Sequence, residues 1–184
     1  LGTVGTGVAV RAGTPPADVS SAATLRASVL AAQTIVCPDP AIATAGKIVV
    51  ALMDKLRITA ETAGRMRYFP NGYAAMRWLA AEGGARDLGI TQVTEIIPNK
   101  GVTYAGPLPD AFQMKTVYSA GIAANASEPS IAEGFVQRFG AAAARAGAAD
   151  LTPEGPRSFV LAPRPGRCDL HRCSISGNHG LGHK

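Results

Sequence analysis

This 184-residue chain is short of the residues that most directly advertise chemistry. It has 3 histidines, His171, His179 and His183, and none before residue 156. A nucleophile in that first span has no imidazole to activate it, which excludes hydrolases of the Ser–His or Cys–His kind there. The 3 cysteines are Cys37, Cys168 and Cys173, one in an apolar run and two near the end, so a disulfide framework is not expected. Aromatic residues are only 5% of the chain, too few for a base-stacking platform. No apolar run reaches the ~18 residues of a membrane helix, and no signal peptide opens the chain. Leu1 is not a usual start, which leads us to expect a cut N-terminus. Charge is also scarcer than it looks. Arg157, Arg164, Arg167, Arg172 and Lys184 against Asp169 put +4 of the net +5 after residue 155, leaving +1 for everything before it. That distribution argues against a basic face for nucleic acid.

What is present is a core. Hydrophobic residues make up 47% of the sequence, enough for one domain or one and a half. "GTGVAVRAG" alternates Val8 and Val10 with smaller residues and reads as a strand. "TPPADVSS" is a loop, and Ser20 or Ser21 offers the N-cap of a helix with Leu25 and Val29 on one face. "TIVCPDP" is a second strand, closed by prolines. In the next helix Ile48, Leu52 and Leu56 form the buried stripe and Thr44 is the cap candidate. "RMRYF" is a third strand. Asn71 then caps a helix whose expected stripe is Tyr73, Met76 and Ala80, ended by Gly83 and Gly84. A fourth strand holds Leu88 and Ile90. Past Pro98 the pattern gives a turn at "NKG", a loop "AGPLPD", a long strand-like run "KTVYSAGIAA", and a closing helix carrying Ile131, Phe135 and Phe139. Strand and helix alternate, which predicts an α/β fold with a parallel sheet flanked by helices. Residues 1–155 form the folded part, and residues 156–184 lack period and read as a disordered or non-native tail.

In an open parallel sheet, ligands sit outside the carboxyl ends of the strands. Three segments meet that condition: "DPAIATAG", "PNG" and "TQVTE". Two of them lead into helices, whose first N–H groups and positive dipole ends favour an anion. The candidate ligand-binding residues are Thr44, Ala45, Asn71, Gly72, Gln92 and Thr94. The alternative at each is local: Thr44 and Asn71 merely cap helices, and Gln92 faces water. No catalytic residue is assigned, although Asp39 and Glu95 stand at the same rim as carboxylates able to carry a proton. No metal site is read either, because Cys168, Cys173, His179 and His183 lack finger spacing. No cofactor is implied.

The succession "GVAVRAGTPPADVSSAATLRASVLAAQTIVCPDP", "ATAGKIVVALMDKLRI", "LGITQVTEIIPNKGVTYAGPLPDAFQ" and "TVYSAGIAANASEPSIAEGFVQRF" resembles bacterial extracellular solute-binding proteins. It is most similar to the molybdate-binding-like branch of the type II periplasmic-binding fold. The resemblance implies two α/β lobes joined by hinge strands. This chain would be mostly the second lobe, with 14–114 as lobe core and 115–155 as return strand and C-terminal helix. It also implies that "ATAG" supplies backbone N–H donors at Thr44 and Ala45, and "NGY" another near Gly72. Gln92 stands where molybdate binders usually carry Tyr. The implied function is non-catalytic capture of a small oxyanion or carboxylate for an ABC-type importer, with a membrane permease as partner and the periplasm as location. The alternative is an isomerase of an aconitate-like tricarboxylic acid, with Glu95 or Asp39 moving the proton. With its partner lobe absent, the last helix would expose Ile131, Phe135 and Phe139 and favour self-association.

Overall fold

The structure, a computed structural model, describes residues 2–145, with side chains as far as 138. The proposed tail 156–184, its cysteines and histidines, and the side chain of Phe139 lie outside the described residues. In chain order the elements are β1 (Gly2–Val4), β2 (Thr6–Arg11), α1 (Ala22–Ala31), β3 (Ile35–Pro38), α2 (Thr44–Lys55), α3 (Thr59–Thr62), a 3-10 turn (Ala63–Arg65), β4 (Met66–Phe69), α4 (Gly72–Glu82), β5 (Leu88–Gln92), α5 (Val93–Ile96), β6 (Val102–Pro107), β7 (Thr116–Tyr118) and α6 (Pro129–Arg145). They form two units. One is Gly5–Lys115; the other combines residues up to Val4 with those from Thr116 onward. In the second unit β1 pairs antiparallel with β7, Gly2 opposite Tyr118.

The larger unit is built on a five-stranded sheet of order β4-β3-β5-β2-β6. β3 runs parallel to β4 and β5, while β2 is antiparallel to both β5 and β6. Four strands therefore share one direction and β2 alone opposes them. Strand–helix alternation predicts a parallel sheet, and β2 is the departure. It pairs Thr6 with Gln92 and Gly7 with Pro107, so the chain enters the unit at the rim where the other strands end.

Period-2 alternation divides the core between the two faces. Val8, Val10, Ile35, Cys37, Leu88 and Ile90 face α1 and α2, where they meet Leu25, Val29, Val49, Leu52 and Met53. Ala9 and Val36 face α4 and α5, against Ala75, Met76, Leu79 and Ile96. Full burial of each such aliphatic side chain is worth roughly 1.5–3 kcal/mol. Leu25, Val29, Ile48, Leu52 and Leu56 are buried as their spacing predicts. The α4 stripe is met in part: Met76 is buried as expected, but Tyr73 is 48% exposed and Ala80 half-buried, and Gly72, Ala75 and Leu79 join Met76 against the sheet. Gly72 and Ala75 let the helix approach the strands closely, while Met76 and Leu79 fill the space beside them. Three other expectations shift. The first three residues of the expected loop "AGPLPD" belong to β6, the return strand covers only Thr116–Tyr118, and β1 precedes the first strand read from the sequence.

Helix ends absorb much of the positive charge. The Arg11 guanidinium donates to Gly83 O at 2.9 Å, below the end of α4. Arg65 donates to Leu30 O and Ala32 O at 2.8 and 2.6 Å, at the end of α1, and Arg26 to Leu56 O at 3.3 Å, at the end of α2. These are the orphan carbonyls of helix C-termini, where the dipole favours a cation.

The end of α2 also closes on itself. Arg57 N–H donates to Asp54 O and Ile58 N–H to Met53 O, at 3.0 Å each, with Arg57 at φ 55. This is a Schellman closure with arginine in the left-handed position that glycine prefers. Replacing Arg57 by Gly should stabilise the protein by about 0.5–1 kcal/mol, the left-handed strain less glycine's entropy, read as a higher urea midpoint with unchanged slope. Cys37 supplies a second expectation. Burial, then the nearby Asp39 carboxylate, pushes its thiol up to about 12. The native thiol should resist alkylation at pH 8 and react at once in denaturant. An acid raised in the folded state contributes stability that is complete below its unfolded pKa. The Cys37 contribution should therefore decline as pH rises from about 8.5, and a Cys37→Ala variant should lack that component of the alkaline decline.

Candidate functional site

The shared strand direction brings the ends of β3, β4, β5 and β6 to one rim. Connections leave it toward both faces: β3 feeds α2 on one side, while β4 feeds α4 and β5 feeds α5 on the other. A sheet whose neighbouring strands send their connections to opposite faces opens a crevice at that point, here between β3 and β5.

Each long helix of this unit treats its exposed N–H groups differently. Ser21 caps α1 with a reciprocal capping box to Thr24. Asn71 caps α4, accepting from Ala74 N–H at 2.8 Å. The start of α2 has no side-chain cap at all. Its cap position is Ala43, not Thr44, which is already the first helical residue. The expected capping role of Thr44 is thus corrected: the bonds of Ile42 and Ala43 N–H back to Asp39 O turn the chain one residue earlier. The leading N–H groups of Thr44, Ala45 and Gly46 head a 12-residue helix without an intrahelical partner. Gly46 is required by packing, because a Cβ there would overlap the backbone of Pro38, Asp39 and Pro40. That contact seats the α2 end directly on the end of β3.

At α4 the donor expected to serve a ligand is already in use. Gly72 N–H donates to Glu95 Oε1 at 3.1 Å, and Thr91 Oγ1 donates to Glu95 Oε2 at 2.6 Å. Gly72 is buried against both side chains, and a Cβ on it would strike them. Glu95 is therefore not a loop carboxylate at a strand exit. It lies on α5, which follows Gln92 without a break, and it bonds across to the start of α4.

The six residues singled out from the sequence consequently divide. Gln92 is only 7% exposed and shares a face with Leu88 and Ile90, the face of α2. Thr44 and Ala45 start α2 on that side. Asn71 and Gly72 start α4 on the other side, and half-buried Thr94 sits on α5 beside Glu95. Among the described residues, no hydrogen bond joins Thr44 or Ala45 to Asn71 or Gly72.

One rim residue escaped the sequence reading. Thr6 is fully buried and its Oγ1 has no hydrogen-bond partner among the described residues. It stands opposite Gln92 and, by alternation with Val8, on the α2 face. Its backbone is held instead by the Gln113 amide, which accepts from Thr6 N–H at 2.7 Å and donates to Thr6 O at 2.9 Å. A threonine opening a strand carries no sequence signal of this kind, because its partners lie ~100 residues away along the chain.

A separate groove of about 600 Å3 lies between Asp18–Ser20 and Gly106–Asp110. None of the six rim residues lines it. Its Asp18 carboxylate accepts the hydroxyl and the N–H of Ser20, which hold it below the usual carboxylate range. Among the described residues, no group of three or more His, Cys, Asp or Glu side chains is placed to hold a metal ion.

An unpaired buried hydroxyl costs stability unless something bonds it. A Thr6→Val variant should therefore be more stable than the parent by about 1 kcal/mol by urea unfolding. A lower midpoint would mean that the hydroxyl already has a partner.

Comparison with known proteins agrees with this architecture. The structure is similar to a substrate-binding domain assigned to a molybdenum ABC transporter from Clostridium difficile, with TM-score 0.51 and 10% identity, over 62% of this chain and 47% of that one. It is also similar, at TM-score 0.40 and 18% identity, to a histidine kinase sensor domain resembling periplasmic binding proteins, over 59% of this chain and 42% of that one. The chain thus spans about half the length of these solved structures. No curated protein matches it significantly. Residues 2–149 match the family described as bacterial extracellular solute-binding protein, and the chain belongs to that family.

Proposed function

We propose that this chain captures a small anion, an oxyanion or a carboxylate, as the substrate-binding component of an ABC-type importer in the periplasm, with a membrane permease as partner. Family membership supports solute binding, and a similar transporter domain supports the importer. The observation that carries the anion is the start of α2. Of the three long helices in the larger unit it alone lacks a side-chain cap, and it opens on the sheet face that also carries Gln92 and the Thr6 hydroxyl. Peptide N–H groups there bond an anion without a charged side chain. Thr44 and Ala45 are the proposed donors, with Gln92 on the same face of the sheet.

The isomerase alternative gains no support from the geometry. Both oxygens of Glu95 accept hydrogen bonds that join α4, β5 and α5. Asp39 accepts from Ala41 N–H at 2.8 Å within its own turn.

The test is a thermal-shift and calorimetric screen with molybdate, tungstate, sulfate, acetate and citrate. At least one should raise Tm, by an amount corresponding to about 2.7 kcal/mol at a hundred times its Kd, with no interconversion of cis- and trans-aconitate. A flat response to every anion would end the reading. Self-association is proposed alongside it, because Ile131 on α6 is 68% exposed. Light scattering should show concentration-dependent dimers that Ile131→Ser diminishes; a monomer at all concentrations would count against it.

A further inference from the structure

We propose that the Asn71–Gly72 peptide is a latent deamidation site, which Glu95 keeps closed in the native fold by holding the Gly72 N–H, and which reacts when the start of α4 opens.

Among Asn71, Asn99, Asn125 and Asn178, only Asn71 precedes a glycine. A following residue without a Cβ turns its backbone nitrogen freely toward the asparagine side chain, so an Asn–Gly pair is prone to self-attack. The Gly72 nitrogen loses its proton to a solvent base and bonds to Asn71 Cγ. The Cγ–Nδ2 bond breaks, and that nitrogen takes up a proton and leaves as ammonia. Water then opens the cyclic imide, at one carbonyl to aspartate and at the other to isoaspartate. Burial of the asparagine does not prevent this, because Asn71 is exposed. The hydrogen bonds around it do. Gly72 is buried and its N–H donates to Glu95 Oε1 at 3.1 Å, which keeps solvent base from the proton. Glu95 is itself anchored through Oε2, which accepts the Thr91 hydroxyl at 2.6 Å. Asn71 Oδ1 accepts from Ala74 N–H at 2.8 Å, which pins the side chain in its capping position. At its ψ of 170 the Gly72 nitrogen is staggered to Asn71 Cβ, whereas closing a five-membered ring needs the two nearly eclipsed. The rotation that brings them together takes the Gly72 N–H off Glu95. The two products differ in consequence. Aspartate caps a helix as well as asparagine does. Isoaspartate adds a methylene to the main chain ahead of Gly72, a residue packed against Thr91 and Glu95 with no room even for a Cβ, and so unseats the start of α4.

A carboxylate on an N–H is also a general base within reach of its proton, and that role has the opposite sign: removing Glu95 would slow the reaction. The two roles therefore separate in one experiment. The full chain is incubated in mildly alkaline buffer, folded and in denaturing urea, beside Glu95→Ala, Glu95→Gln and Thr91→Val variants. Ammonia release and peptide mapping with isoaspartate detection give the rate at Asn71. The folded parent should react at least tenfold more slowly than the unfolded chain. E95A removes the acceptor and should react at least tenfold faster than the folded parent. Its rate should also exceed the product of its unfolded fraction and the unfolded-chain rate, the excess being local opening of α4. E95Q keeps an acceptor for the Gly72 N–H and should stay within threefold of the parent. A folded parent that reacts as fast as the unfolded chain overturns the proposal. An E95A rate no greater than its global unfolding supplies overturns it too, since the fold as a whole then gives the protection. A rate below the parent's makes Glu95 the base instead, and an E95Q as fast as E95A removes the hydrogen bond as the cause. Should E95A fail to fold, T91V, which leaves Glu95 only its bond to Gly72, is read against its own unfolded fraction in the same way.

Discussion

Peptide N–H groups at the start of a helix have no partner within it, and each of the three long helices of this unit must answer that demand. It does so with three different solutions. At α1 the answer is local, a capping box between Ser21 and Thr24. At α4 it is partly local, through Asn71, and partly tertiary, through a carboxylate 23 residues further along the chain. At α2 no side chain answers. The direction of the strands makes this matter, because β3 and β4 end at one rim and both helices begin there. The crevice between β3 and β5 opens at the same rim.

The same accounting explains the charge. The three arginines that bond the ends of α1, α2 and α4 are tied to carbonyls rather than presented to a partner. On the exposed edge strand β4, Arg67 lies over the Trp78 ring at 4.4 Å and the Phe69 ring at 5.6 Å. A charged, stacked arginine on an edge strand also discourages pairing with another chain. Part of the positive total is thus spent on holding the unit together.

Local features were legible before the fold. Ser21 and Asn71 are caps because a short polar side chain reaches an N–H three residues on, whatever surrounds it. The α1 and α2 stripes were legible because period 3.6 must coincide with burial once a helix packs on a sheet. The α4 stripe was legible only in part, because the helix packs on Gly72 and Ala75 as well as Met76, and those two carry little hydrophobic signal. β6 was missed because "AGPLPD" has the composition of a turn, and only pairing with β2 makes its first three residues a strand. Thr44 looked like a cap on composition, but the Asp39 turn places the cap at Ala43.

The sequence by itself determined an α/β unit with helices on its sheet, where β3, β4 and β5 stop, and which residue types follow them. These follow from short-range periodicity and capping, which act within a few residues. Tertiary structure alone decided that β2 runs against its neighbours, that the Thr6 hydroxyl is buried beside Gln92 without a partner, and that Glu95 holds the α4 end while α2 is left open. Each of these depends on contacts between residues 23 to 107 apart. Pairing across such distances is selected by the packing of the whole sheet, and no local pattern encodes it.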